Sequence, residues 1–338
     1  MDAVPSDAEM RRIFLRILTR GPKDNTYKFA LARAMLDHCN KHYSYGSDPE
    51  MASRIPYEQL AESFLKYYWH QECLFRIKQD FHIEKMPRAV RIVRDIFEHD
   101  PAASFGRADA GCKKKAQADI LKRVFGHADK KTSFVVPRFQ KIGGMEPRES
   151  HIFYRYSDDD QELVLYPHTY EFFAKNYGVL FRAVLLEWAR FLERINTLPR
   201  LVAKIESAMV RRGSLTKYVK IFRDCSHCFY CETELEKGGI HVDHFIPWSY
   251  IFDDSVWNLV LSCPGCNISK RDSLAPRRFV GDLIVRNKDY RDRIRELELS
   301  LRQLETDRKW ETEINNSYKN CHESGFSTWK GPQAAVLK

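Results

Sequence analysis

The chain has 338 residues, of which 43% are hydrophobic, and this is enough material for one large domain or two smaller ones. Its mean hydropathy is −0.50, and no apolar run approaches the roughly 20 residues of a membrane span, which excludes an integral membrane protein. The formal net charge of +9 suits a polyanionic partner such as a nucleic acid.

The cellular setting is predicted from the N-terminus and the cysteines. The first residues, MDAVPSDAEM, lack the basic segment and apolar core of a signal peptide, so we expect a soluble cytoplasmic protein without a membrane partner. Nine cysteines in a chain of this length do not indicate a disulfide scaffold. In a reducing compartment they indicate free thiols or metal ligands.

The N-terminal part is predicted to be mainly helical. Apolar residues at helical spacing predict helices over 8–20, 26–42, 56–71, 86–99 and 114–125. Residues 100–112 are rich in Pro, Ala and Gly and predict a loop. Two apolar and aromatic runs flank residues 157–160 and predict a β-hairpin, after which 169–196 return to a helical pattern with one interruption near Gly178. We therefore expect a helical domain with a hairpin over residues 1–205, with a recognition or regulatory role.

Much of the positive charge lies in residues 101–150, which hold eleven Lys or Arg against five acidic residues. This region is either a nucleic-acid contact or an ordinary solvated face, and the sequence favours neither. The run Lys113, Lys114 and Lys115 is the candidate phosphate contact within it.

Five cysteines concentrate between residues 225 and 266. CSHCFYCE allows two Cys-x-x-Cys registers, Cys225 with Cys228 or Cys228 with Cys231, and Cys263-Pro-Gly-Cys266 supplies a second pair. Two such pairs predict a four-thiolate structural zinc site, which leaves no open position for a substrate. We favour Cys228 with Cys231, because aromatic residues fill their turn.

Between and after these cysteines, the sequence predicts two short strands and a helix clamped by zinc, a ββα-metal unit. The first strand follows a turn at Gly238 and Gly239 and ends near Pro247. The second strand follows Asp253 and Asp254, and the helix begins near Asn267.

The chain then continues into a charged helix, YRDRIRELELSLRQLETDRKWETEIN. Its apolar stripe, Ile294, Leu297, Leu301 and Leu304, spans barely two heptads, which favours a docked helix over a coiled-coil arm. The predicted fold class is α+β, mainly α. The expected domains are 1–205, a ββα-metal domain over 206–280 and a helical extension over 281–338.

The motifs DHFIP, WNLVL and CPGCN resemble the HNH endonuclease family of the four-cysteine, ββα-metal type. The resemblance covers about residues 225–275. Asn258 follows His244 by 14 residues and Asn267 follows Asn258 by nine, as in that family. The family spacing between the second cysteine and the histidine selects Cys231, which gives Cys228, Cys231, Cys263 and Cys266 as the zinc ligands.

The resemblance implies a metal-dependent nuclease and a role for each matching residue. His244 would be the general base, and Asn258 would hold the histidine loop in position. Asp243 and Asn267 would be oxygen ligands of one Mg²⁺ or Mn²⁺, with Asn at the third position favouring Mg²⁺. Lys270 would contact a phosphate. Each residue also has an ordinary structural interpretation: a strand-end salt bridge for Asp243 and His244, a turn for Asn258 and a helix cap for Asn267.

The predicted activity is hydrolysis of DNA phosphodiesters, with nicking and double-strand cleavage both open. A helical half preceding such a domain is similar to bacterial restriction and anti-phage proteins, which implies antiviral defence and protein partners. His241 is read as a surface residue or a support for the ligands. Two alternatives stay open, a zinc-stabilised nucleic-acid-binding module without catalysis and a nuclease acting on RNA, and the N-terminal domain could also hold the nuclease inactive. Further candidate phosphate contacts are Arg211, Arg212, Lys217, Lys220, Lys270, Arg277 and Arg278.

Overall fold

The computed structural model describes residues 4–21, 23–44, 46–80, 85–97, 105–126, 135–141, 151–157, 159–206, 214–222, 224–235, 239–300 and 310–332, with the backbone alone at 295, 297–300 and 310. The chain forms two compact units. Unit 1 is Met1–Asn196 with Leu201–Val210, and unit 2 is Thr197–Arg200 with Arg211–Lys338. Over the described ranges, no helix combines the length and apolarity needed to cross a bilayer.

Unit 1 is built mainly of helices, as the sequence predicts. They are α1 Asp7–Arg20, α2 Tyr27–Ser44, α3 Pro49–Ala52, α4 Tyr57–Trp69, α5 Arg88–Phe97, α6 Ala110–Ile120, α7 Val135–Phe139, α8 Pro167–Lys175, α9 Tyr177–Glu193 and α10 Leu201–Glu206. Helix α1 begins after Ser6, whose hydroxyl accepts a hydrogen bond from the Glu9 amide at 3.2 Å. Helix α2 is buried on most of its faces, which accounts for its nearly continuous apolar sequence.

A small antiparallel sheet accompanies these helices. Strands β2 (Tyr154–Ser157) and β3 (Glu162–Leu165) form the predicted hairpin. The short strand β1 (Arg54–Pro56) pairs with the other edge of β3, so the strand order is β1-β3-β2. The sequence did not indicate β1, because three residues are too few to show an alternating pattern.

An aromatic cluster forms the centre of unit 1. The ring of Phe14 in α1 packs edge-on against Phe153 at 6.0 Å and against Phe173 at 5.4 Å between centroids. Phe29 of α2 stacks on Trp188 of α9 at 6.2 Å. These contacts join the first two helices to the residue just before the hairpin and to the helices after it, and residues from both halves of unit 1 therefore share one core.

Two element boundaries differ from the prediction. The loop predicted over 100–112 is wrong at its C-terminal end, because Asp109 caps α6 by accepting a hydrogen bond from the Cys112 amide at 2.7 Å. Pro56 belongs to β1 and precedes α4, where the sequence predicts it as the first helical residue.

Unit 2 contains the predicted ββα unit. Strand β4 (His241–His244) pairs antiparallel with β5 (Leu259–Ser262), with His241 opposite Ser262 and His244 opposite Leu259. The helices are α11 Trp248–Ile251, α12 Pro264–Lys270, α13 Phe279–Asp289, α14 Arg291–Ser300 and α15 Trp310–Glu323. Helix α12 follows β5 directly, because Cys263 caps its N-terminus and Pro264 occupies its first turn.

The C-terminal part of the chain packs on this ββα unit. Ile294 of α14 is fully buried in a cluster with Phe222, Val256, Leu259 and Leu261. This contact agrees with the predicted docking of the charged helix. Of its stripe, Leu301 and Leu304 lie outside the described residues, as does the side chain of Leu297.

The last described segment also lies against the ββα unit. The Trp329 amide donates to the Leu274 carbonyl at 2.8 Å, and the Tyr318 hydroxyl of α15 donates to the Ala275 carbonyl at the same distance. Residues beyond 281 thus share a core with residues before 280. The subdivision of unit 2 at residue 280 stays a prediction.

Candidate active site

The four predicted cysteines form one cluster. The sulfur atoms of Cys228, Cys231, Cys263 and Cys266 all lie within 4.8 Å of one another, and those of Cys231 and Cys263 are 3.7 Å apart. Four sulfurs at about 2.3 Å from a tetrahedral zinc ion stand about 3.8 Å apart, so the cluster fits zinc. Burial raises the pKa of the Cys266 thiol, and a metal is what offsets such a cost for a thiolate.

Local structure explains how the first pair comes together. The Cys228 amide donates to the Thr233 carbonyl and the Glu232 amide donates to the Cys228 carbonyl, which folds the aromatic Cys-x-x-Cys segment into a tight turn. Cys225 stands outside this cluster, with its thiol 3.3 Å from the His227 carbonyl. The choice of Cys228 and Cys231 over the Cys225 register is confirmed.

Asp243 lies on β4 beside this turn and is almost fully buried. The Tyr230 hydroxyl donates to Asp243 Oδ2 at 2.6 Å, and Lys270 Nζ of α12 lies 3.0 Å from the same oxygen. Burial, and after it the Asp243 carboxylate, raise the pKa of Tyr230 well above its usual value, so this hydroxyl stays a donor. Both contacts use Oδ2, and no described residue donates a hydrogen bond to Oδ1.

His244 is the next residue and is 6% exposed. Its Nε2 atom lies 3.1 Å from Asp254 Oδ1, and its backbone carbonyl accepts a hydrogen bond from Lys270 Nζ at 2.7 Å. The imidazole and the main chain of His244 are therefore held from two sides, by a side chain before β5 and by one from α12.

Asn258 fixes the loop that follows His244. It is fully buried, its Oδ1 atom accepts from the Ile246 amide and its Nδ2 atom donates to the Ile246 carbonyl, both at 2.8 Å. Its own carbonyl accepts from the Phe245 amide at 2.8 Å. Asn258 stands at the end of the 3₁₀ turn Val256–Asn258, one residue before β5, rather than inside the second strand as predicted.

Asn267 lies in the second turn of α12, and the cap of this helix is Cys263, so the interpretation of Asn267 as a helix cap is wrong. Asn267 Nδ2 is 2.8 Å from His241 Nδ1. His241 and Asp243 are two residues apart on β4, so their side chains lie on the same face of the strand. Helix α12 contacts His241 through Asn267 and Asp243 through Lys270. This places Asn267 at the same edge as Asp243.

The edge of β4 that carries Asp243, together with Asn267, has oxygen atoms of the type that a hard divalent cation prefers. It offers Asp243 Oδ1, to which no described residue donates a hydrogen bond, and the amide oxygen of Asn267, whose amide nitrogen contacts His241. Mg²⁺ prefers such oxygen donors and keeps several of its waters. Lys270 next to Asp243 reduces the negative charge at this edge.

The structure corrects the prediction for Lys270. This side chain is 0% exposed, and its ammonium contacts Asp243 and the His244 carbonyl. A fully buried ammonium does not reach a phosphate on the surface. Lys270 instead connects α12 to β4 next to the candidate base. Its role in the candidate site is therefore structural.

The other predicted phosphate contacts lie on the surface of their units. Lys217 and Lys220 are exposed on the 3₁₀ segment Thr216–Phe222, and Arg277 and Arg278 are exposed just before α13. Three more belong to α6 of unit 1, where Lys114 and Lys115 are exposed and Lys113 is half-buried. Arg211 and Arg212 lie outside the described residues.

Sequence reasoning missed two residues that contact the site, Tyr230 and Asp254. The sequence predicts Tyr230 only as a residue that fills the Cys-x-x-Cys turn, and Asp254 only as a residue that precedes the second strand. An acidic pair at that point was a signal for Asp254, but an acid at a strand start is equally typical of a turn. His241, read as a surface residue or a support, contacts Asn267.

Comparison with known families agrees with this geometry. Residues 228–275 match the family model of the HNH endonuclease, so this part of the chain is an HNH endonuclease domain with a four-cysteine cluster. Residues 9–95 match a domain of unknown function, DUF8808. Comparisons with curated proteins and with solved structures gave no match.

Proposed function

We propose that the protein is a metal-dependent endonuclease that hydrolyses DNA phosphodiester bonds at the edge formed by β4 and α12. The observation that supports it is that Asp243 and His244 are adjacent on β4, that α12 contacts this strand through Asn267 and Lys270, and that Asn258 holds the loop after His244. A zinc-stabilised binding module needs none of these residues in this arrangement.

His244 is the general base in this proposal. In hydrolysis, a water oxygen bonds to phosphorus, the bond from phosphorus to the leaving oxygen breaks, and the proton of the water passes to the imidazole. The two hydrogen bonds between Asn258 and Ile246 keep the chain after His244 from moving, and the Lys270 contact holds its carbonyl. A base that is held in this way needs little reorganisation when the substrate binds.

Asp243 and Asn267 would hold the divalent cation. Bound there, Mg²⁺ or Mn²⁺ would neutralise charge on the scissile phosphate and on the leaving oxygen. The contact of Asn267 Nδ2 with His241 Nδ1 directs the amide nitrogen to the histidine, which leaves the amide oxygen for the metal. Tyr230 and Lys270 orient the Asp243 carboxylate from its other oxygen.

The orientation of Asn267 can be tested at His241. His241→Ala removes the acceptor for the Asn267 amide, and we expect the Mg²⁺ concentration for half-maximal cleavage to rise by about 10-fold or more. His241→Asn places an amide oxygen near the position of Nδ1 and should stay close to wild type. Mg²⁺ titrations of the cleavage rate measure both. Equal half-saturation in all three proteins would contradict this role for His241.

Substrate contacts and biological role are further parts of the proposal. Lys217, Lys220, Arg277 and Arg278 are exposed in unit 2 and can contact the phosphate backbone, which positions a duplex without reading its sequence. We infer that unit 1 recognises the substrate or a protein partner, or restrains the nuclease, and that the protein acts in restriction or anti-phage defence.

The proposed function predicts that the purified full chain, with Mg²⁺, converts supercoiled plasmid to open-circular or linear DNA. EDTA should stop the reaction, and His244→Ala protein prepared in parallel controls for contaminating nuclease. A matched RNA duplex tests the substrate class. Faster cleavage of the RNA duplex would show that RNA, and not DNA, is the substrate. Tight DNA binding with no cleavage of either duplex under any divalent metal would contradict the nuclease and favour a binding module.

A further inference from the structure

Among the described side chains, only Asp254 forms a hydrogen bond with the His244 ring. Its Oδ1 atom lies 3.1 Å from His244 Nε2, and the two side chains are 29% and 7% exposed. The neighbouring Asp253 anchors the same loop, because it pairs with Arg200 at 2.5 Å and accepts a hydrogen bond from the Ser255 amide at 2.9 Å. Asp254 therefore approaches His244 from a segment that is itself held in place.

This contact determines which nitrogen of His244 can accept a proton. A carboxylate only accepts hydrogen bonds, so the proton of a neutral imidazole lies on Nε2, between His244 and Asp254. The lone pair is then on Nδ1. A carboxylate that bonds one ring nitrogen fixes the tautomer and the ring plane, and it stabilises the imidazolium that forms when the other nitrogen takes a proton.

We propose that Asp254 is the positioning residue of the catalytic base: it holds His244 as the Nε2–H tautomer, so that Nδ1 faces the attacking water and takes its proton. The proton stays on the imidazole. This inference rests on the proposed role of His244 as general base. It gives Asp254 a task that none of the zinc ligands, Asp243 or Asn267 performs.

A second assignment for Asp254, as a further ligand of the divalent cation, predicts different kinetics. A positioning residue changes kcat at saturating metal, whereas a ligand changes the metal concentration needed for half-maximal rate. The chain also offers a matched control. Asp289→Asn removes the same charge from an exposed carboxylate at the end of α13, which has no role in the candidate site.

The first test compares Asp254→Asn and Asp254→Ala with Asp289→Asn in the full chain. We expect both Asp254 variants to lower kcat for plasmid cleavage by about 100-fold, the lower end of what a positioned general base contributes, with unchanged Mg²⁺ half-saturation. Asp289→Asn should stay within a few-fold of wild type. A raised Mg²⁺ requirement with unchanged kcat would overturn the proposal and make Asp254 a metal ligand.

A double-variant cycle tests whether Asp254 acts through His244. If it does, Asp254→Asn lowers the residual rate of His244→Ala protein no further. Independent losses that multiply in the double variant would overturn the proposal.

A spectroscopic readout separates this inference from the proposed function. In full-length protein with ¹⁵N-labelled histidine, the His244 signal, assigned by its loss in His244→Ala, should show a protonated Nε2 and an unprotonated Nδ1 at alkaline pH. Asp254→Ala should shift this signal toward a tautomer mixture. If wild-type protein cleaves neither DNA nor RNA, the nuclease proposal fails, but the tautomer of His244 still tests its contact with Asp254. An Nδ1–H tautomer in wild-type protein overturns the proposed role of Asp254.

Discussion

Replacing His244 with alanine is expected to lower kcat for DNA cleavage by about 10²- to 10⁴-fold, the range contributed by a positioned general base. The substitution leaves the backbone carbonyl that Lys270 contacts and the loop that Asn258 holds, because neither interaction uses the imidazole. We therefore expect an unchanged fold and unchanged DNA binding. Initial rates on supercoiled plasmid with saturating Mg²⁺ measure the effect.

The matched control for this variant is His227→Ala. His227 is exposed in the zinc-binding segment, where its ring contacts Ser226, and it has no contact with the residues of the candidate site in the described part of the chain. It should keep the wild-type rate. DNA binding is compared with Ca²⁺ in place of Mg²⁺. A His244→Ala protein that cleaves at nearly the wild-type rate would remove His244 from the role of base.

The residues of the candidate site could be predicted because the motifs that indicate them lie in short, contiguous segments of the sequence. Two Cys-x-x-Cys turns each bring two thiols together whatever surrounds them, so a four-cysteine cluster follows from spacing, and the family resemblance selects Cys231 over Cys225. Strand β4 and helix α12 are short segments with clear signals, and they carry Asp243, His244 and Asn267. The helical character of unit 1 likewise follows from apolar periodicity over many turns.

The contacts that hold these residues in position could not be predicted, because they join common residue types that are far apart in the sequence. Nothing in the sequence distinguishes Asp254, which meets His244, from Asp253, which meets Arg200. A lysine three residues after Asn267 looks like a surface cation, and only packing shows that it is fully buried. The pairing of Trp329 with Leu274 has no local signal either.

The zinc cluster and the candidate active site share the same short elements. Tyr230 lies between Cys228 and Cys231, and its hydroxyl binds Asp243. Helix α12 begins directly after Cys263 of the cluster and carries Asn267 and Lys270. A closed four-thiolate site has no open position for a substrate, so in the proposed function its part is to set the positions of the catalytic residues. Loss of zinc should therefore disturb Asp243 and Asn267 together.

Cys231→Ser is accordingly expected to remove the zinc and to unfold unit 2 in the full chain. Structural zinc contributes about 10–16 kcal/mol in small zinc domains, which is as large as the net stability of about 5–15 kcal/mol of a typical domain. The zinc content should fall from one ion per chain, and cleavage should be lost. Metal analysis, limited proteolysis and thermal unfolding followed by circular dichroism measure these changes.

Cys225→Ser is the matched control, since Cys225 is a nearby thiol outside the cluster. It should keep one zinc ion per chain, the wild-type unfolding curve and the wild-type rate. Unit 1 has its own aromatic core, so its helices should resist proteolysis in both variants. A Cys231→Ser protein that keeps a full complement of zinc and normal cleavage would show that this sulfur does not hold the metal. If zinc is lost while unit 2 stays folded and active, the cluster does not position Asp243 and Asn267, and the coupling through Tyr230 and α12 is refuted.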